Sequence, residues 1–136
     1  MKLFFLFLVL SIPQTQNITI ENAWMRNASE GMNTGLFFDI KNNGTEPDTL
    51  YKAESDLAEL VQIHETYRNG DMMGMREVKN IVIEPDSTFQ FKPGGYHIML
   101  IMVKQDLKEG DTEEVSVFFK KAGEIKVSAA VKKYSK

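Results

Sequence analysis

Apolar and polar residues alternate with a period of two along most of the chain, the pattern of strands with one face buried. Ile125, Val127, Ala129 and Val131 fall on one side of an extended segment, with Lys126, Ser128, Ala130 and Lys132 on the other. Leu36, Phe38 and Ile40 alternate likewise with Phe37, Asp39 and Lys41, and Val115, Val117 and Phe119 repeat the pattern. The segment from Tyr96 to Val103 is apolar on both faces, which predicts a central strand. Helical periodicity is scarce. Only Ser55 to Leu60 predicts a helical turn, with Ser55 as its cap.

Turn signals separate the runs: Asn42-Asn43-Gly44, Asn69-Gly70-Asp71, Glu84-Pro85-Asp86, Pro93-Gly94-Gly95, Glu109-Gly110-Asp111 and Ala122-Gly123. Many short strands at this spacing predict an all-β, mostly antiparallel sandwich or small barrel. The N-terminus breaks the pattern. One lysine, an apolar run from Leu3 to Ile12, Pro13 and a polar stretch have the layout of a secretory signal peptide, and the run is too short to span a bilayer as a helix. Residues 1–16 are therefore read as a signal peptide and 17–136 as one β domain; without a clear small-x-small cleavage site, an uncleaved anchor is the alternative.

With 136 residues and 43% apolar content, the chain suits one domain with a core of its own. The net charge of −3 argues against nucleic acid, whose binding needs a basic face. Zero cysteine means no disulfide, no thiolate chemistry and no Cys-based zinc site.

Candidate chemistry lies in four residues, His64, Met75, His97 and Met99, spaced as His-x10-Met-x21-His-x-Met; the two histidines are the only ones in the chain. His97 and Met99, two apart on a strand, present an imidazole and a thioether to one side near the strand's opening end. In the run Leu60 to Tyr67, Val61 and Ile63 share one face while Gln62, His64 and Thr66 share the other, so a core-facing Ile63 turns His64 away from the core. Met75 follows the segment Asn69 to Gly74, read as a polar loop that also carries Met72 and Met73, and Met73 is a substitute for Met75. Imidazole and thioether without carboxylate or thiolate select Cu(I) over Zn(II), Mg(II) or Ca(II). Lack of cysteine argues against a blue-copper electron carrier.

The segment from Phe91 to Leu100, with His64, Gly74-Met75 and their spacing, resembles the PCuAC family of periplasmic copper chaperones. Trp24 and Arg26, Asn43-Gly44 with Asp48 and Leu50, and Leu107 with Gly110 extend the resemblance over about Ile18 to Val131. It implies a cupredoxin-like Greek-key β-barrel that binds Cu(I) through His64, Met75, His97 and Met99. It also implies delivery of copper to the dinuclear copper centre of cytochrome c oxidase subunit II. The expectation is a periplasmic, monomeric, non-enzymatic chaperone that passes Cu(I) by ligand exchange, with no nucleic-acid partner and no small-molecule substrate. The rival readings are a copper buffer without a dedicated acceptor and a metal-free β-sandwich interaction module.

Other residues carry plainer expectations. Met25 and Met32 are assigned to a loop, Trp24 to the core, Glu65 to solvent, and the lysines from Lys120 to Lys136 to a solvated face and tail.

Overall fold

The computed structural model describes residues 17–133, so the expected signal peptide lies outside the described residues. Ten strands follow in order: β1 (Ile18–Arg26), β2 (Thr34–Asn42), β3 (Asp48–Glu54), β4 (Ala58–Asn69), β5 (Met72–Glu77), β6 (Ile81–Ile83), β7 (Ser87–Gln90), β8 (Tyr96–Val103), β9 (Thr112–Phe119) and β10 (Gly123–Lys132). They form one ladder in the order β5-β4-β8-β2-β1-β10-β9-β3-β6, with β7 added to β2. Only β1 and β10 pair in parallel among these. Because β3 also packs against β4, the ladder curls round on itself into a barrel. The all-β, mostly antiparallel expectation is met.

The alternation read in the sequence sorts residues as expected. Leu36, Phe38 and Ile40 of β2, Val115, Val117 and Phe119 of β9, and Val127, Ala129 and Val131 of β10 all point into the core. On β8, between β4 and β2, Ile98 and Leu100 are fully buried in that core. Each such side chain contributes about 1.5 to 3 kcal/mol on leaving water, so the barrel needs no disulfide.

Four expectations are corrected. Ser55 to Leu60 is not helical: Asp56 and Leu57 form a turn in which the Leu57 N–H donates to Ser55 Oγ at 3.2 Å, and β4 starts at Ala58. A single capped turn is too short to persist as helix against strand pairing. The segment Asn69 to Gly74 is not a loop either. Asn69 pairs directly with Met72, so Gly70 and Asp71 alone make the hairpin turn, and Gly70 supplies the positive φ of 63° that a two-residue turn requires. Met72 and Met73 therefore belong to β5.

The other two corrections share a cause. The β1–β2 register shifts between Glu21 and Trp24, where Asn22 adopts a φ of 56° and its side-chain amide donates to Asp39 at 2.9 Å. Such a bulge switches the inward-facing parity of the strand. Ile18 points inward before it and Met25 after it, so Met25 is a fully buried core residue rather than a loop residue. Trp24 is displaced to the outer face, against Phe37 at 4.7 Å between ring centroids.

Candidate functional site

The site is built on the outer face of the β5-β4-β8-β2 part of the barrel. Residues facing each other across an antiparallel ladder share a face, and the register opposes His64 to His97, Gln62 to Met99, Thr66 to Met75 and Gly35 to Met99. All four candidate residues thus project from the same side of the sheet. Ile63 and Ile98, their sequence neighbours, point into the core.

Met75, His97 and Met99 line one cavity of about 220 Å³, together with Arg26, Thr34, Gly35, Phe37 and Thr66. His64 is not in its lining; it joins the group through His97, with the two ring centroids 5.8 Å apart. Met75 is 55% exposed and His97 only 4%, so the thioether stands at the mouth of the cavity and the imidazole deep within it.

Both imidazoles are held in a defined state. His64 Nε2 sits 2.8 Å from Gln62 Oε1, an acceptor, which makes Nε2 the protonated nitrogen; Nδ1 is buried and has no hydrogen-bond partner. His97 donates to the Gly95 carbonyl, and since its Nε2 is the buried atom without a partner, Nδ1 is the donor. Each ring therefore points one lone pair into a water-poor environment while its other nitrogen is fixed by an acceptor, the arrangement typical of metal-binding histidines. Burial pushes both imidazoles below the usual histidine range. Glu77 partly opposes this at His64; at His97 the Gly95 carbonyl opposes it, while His64 and Arg26 add to it.

Phe37, Gly35 and Arg26 belong to this site and were not singled out for it in the sequence. Phe37 lies between Trp24 and His97, 6.1 Å from the latter, with the Arg26 guanidinium 5.3 Å over its ring. The sequence signal for Phe37 was present: it is a large apolar residue on the polar side of an alternating strand. Glu65, expected in solvent, instead accepts hydrogen bonds from Arg76 and Tyr96, which hold its carboxyl below the usual carboxylate range. Among the described residues no group of three or more His, Cys, Asp or Glu could hold a metal ion; the soft donors beside His97 are the thioethers of Met75 and Met99.

The profile of the family described as "Putative lipoprotein LpqE-like" matches residues 18–131, nearly all of the described chain. The chain belongs to the LpqE-like family. The protein named "Putative lipoprotein Lxx21020" of Leifsonia xyli subsp. xyli (strain CTCB07) is 33% identical over 123 residues, covering 90% of this chain and 74% of that protein. Among solved structures, the copper-bound PCuAC domain from PmoF2 is similar at 28% identity with a TM-score of 0.73, over 87% of this chain and 94% of that domain. The solution structure of CuI-DR1885 from Deinococcus radiodurans is similar at 26% identity with a TM-score of 0.64, over 84% and 78% of the two chains. The resemblance to the PCuAC family therefore extends from sequence to fold, and the cupredoxin-like β-barrel it implied is the fold of this LpqE-like protein.

Proposed function

We propose that this LpqE-like protein binds Cu(I) through His64, Met75, His97 and Met99 and carries it, outside the cytoplasm, to a copper-accepting protein. The observation that carries this reading is the pairing of His64 with His97 across β4 and β8, each with one buried, unpartnered ring nitrogen, beside the thioethers Met75 and Met99. Two neutral imidazoles and two neutral thioethers form a soft donor set that suits Cu(I) and leaves its charge uncancelled, which favours release. Copper bound by the similar PmoF2 and DR1885 domains supports the same cargo here.

Transfer proceeds by ligand exchange at constant oxidation state. An acceptor reaches the exposed Met75 side of the cavity first, displaces that thioether, and then takes the ion from Met99 and the histidines. The acceptor is the dinuclear copper centre of cytochrome c oxidase subunit II, as the PCuAC resemblance implies, and the working state is a monomeric, periplasmic, non-enzymatic chaperone. Lipoprotein names among its relatives support export. The deciding experiment loads the protein with one equivalent of Cu(I) and compares transfer to the apo copper domain of subunit II with release to a small chelator of equal affinity. Faster transfer to the protein acceptor supports the chaperone reading. Equal rates replace it with a copper buffer.

A further inference from the structure

His64, Met75 and His97 each have a sequence neighbour on the reverse face of the sheet, and those neighbours meet. Glu65 follows His64 on β4, Arg76 follows Met75 on β5, and Tyr96 precedes His97 on β8. The ladder opposes Glu65 to both Arg76 and Tyr96. Arg76 Nε donates to Glu65 Oε1 at 2.6 Å, its Nη2 reaches the same oxygen, and the Tyr96 hydroxyl donates to the same carboxylate.

The chain of contacts continues in both directions. The Arg76 guanidinium lies 4.9 Å over the Tyr67 ring, and Tyr67 covers Gly74 so closely that a Cβ there would come within 2.7 Å of the ring. In the other direction Tyr96 packs edge-on against Phe89 at 5.1 Å and stacks on Phe91 at 6.1 Å, and Phe91 is part of the core. A continuous path therefore runs from the barrel interior to β5.

That path matters because β5 ends the ladder, paired with β4 alone, and five of its six residues are exposed. A strand with so little burial opens at low free-energy cost. The histidines stand on strands fixed by core residues on their inner faces, whereas Met75 has no such support. An exposed ion pair alone would contribute little. Here the Glu65 side chain is only 18% exposed and takes a second donor from Tyr96, which makes the contact a network rather than a surface pair.

We propose that Tyr96, Glu65 and Arg76 form a clamp that holds β5 to the barrel and so positions Met75 over the two imidazoles. They are positioning residues, and their role in copper binding rests on the function proposed above. Their hold on β5 is a property of the metal-free protein, which separates the two tests.

Hydrogen exchange of β5 amides in the metal-free protein, and Cu(I) affinity in competition with a chromogenic chelator, are measured in Arg76→Ala, Arg76→Lys, Glu65→Gln, Tyr96→Phe, Met75→Leu and the Met75→Leu/Arg76→Ala pair. In Arg76→Ala the β5 amides exchange about fivefold faster or more while those of β8 are unchanged. Cu(I) affinity falls about tenfold, as for partners that orient metal ligands. Arg76→Ala causes no further loss in a Met75→Leu background, and Arg76→Lys, which keeps the charge but loses the planar fork, restores part of the affinity. Glu65→Gln and Tyr96→Phe carry the same expectation should Arg76→Ala fail to fold. Unchanged β5 exchange overturns the clamp whether or not copper binds. Additive losses in the paired variant overturn its action through Met75.

Discussion

His64 and His97 face each other directly across the β4–β8 ladder, with ring centroids 5.8 Å apart. The pairing joins one histidine from each of two adjacent strands whose inner faces are locked by Ile63 and Ile98. The backbone that carries each imidazole is thereby anchored to the core. The rigid half of the site is therefore the histidine pair, and the adaptable half is Met75 at the ladder's edge.

Met73 and Met75 lie on the same face of β5, but only Met75 lines the cavity; Met73 is one rung further out, 3.6 Å from Arg68 Nη2. Met75→Leu is expected to weaken Cu(I) binding about tenfold, or about 1.4 kcal/mol, while Met73→Leu changes it less than about twofold. Competition titration of both variants checks this. Equal losses would make the two methionines interchangeable.

Burial holds both imidazoles below the usual histidine range. Protons are expected to compete with copper only below these lowered values, beneath the roughly 6.5 of an unperturbed histidine. The same shift acts on folding. Below about 6.5 the unfolded chain binds protons that the folded chain does not, so this contribution to stability is complete above that pH and is lost as pH falls toward the folded value. Urea denaturation of metal-free protein between pH 7.5 and 5 should show stability falling over that window, and falling less in His97→Gln. A rise on acidification would contradict the assignment of buried neutral rings.

Gly35 opposes Met99, and a Cβ there would lie 3.0 Å from Phe37 Cζ and 3.8 Å from His97 Cδ2. Gly35→Val is expected to cost about 1 to 3 kcal/mol by overpacking and to weaken Cu(I) binding by displacing Phe37 against His97. Thermal denaturation together with competition titration separates the two effects. Wild-type affinity in a destabilised variant would show that Phe37 does not help to place His97.

Asp48, which is not among the residues lining the cavity, supplies a control. Its carboxylate accepts from the Thr49 N–H at 2.8 Å and from the Lys121 and Ala122 N–H groups at 2.9 Å each, pinning the β9–β10 turn to β3. Asp48→Ala leaves three part-buried N–H donors without this acceptor and is expected to cost about 1 to 3 kcal/mol in urea denaturation, with Cu(I) affinity unchanged. A parallel loss of affinity would mean that the site responds to global stability.

The fold class and the strand placement of three of the four candidate residues were legible because strands declare their faces by alternation. His97 and Met99 two apart, and His64 opposite Ile63, needed nothing more. Met75 was harder: its strand is almost wholly exposed, so no burial pattern marked β5, and a two-residue turn was read as a six-residue loop. Met25 and Trp24 were not legible: no alternation marks residues 21–26 as strand, because the bulge between Glu21 and Trp24 breaks the period and turns Met25, not the larger Trp24, into the core. Glu65 looked solvated because its partners, Arg76 and Tyr96, come from strands on either side, a juxtaposition that only the ladder order reveals.

In the proposed function His64, Met75, His97 and Met99 together bind one Cu(I). Anaerobic titration of the protein with Cu(I) against a chromogenic chelator tests it most directly, in wild type and in His97→Ala/Met99→Leu. The wild type is expected to take up one equivalent and the variant to bind at least about a hundredfold more weakly. No stoichiometric uptake by the wild type, or equal uptake by the variant, would contradict that proposal.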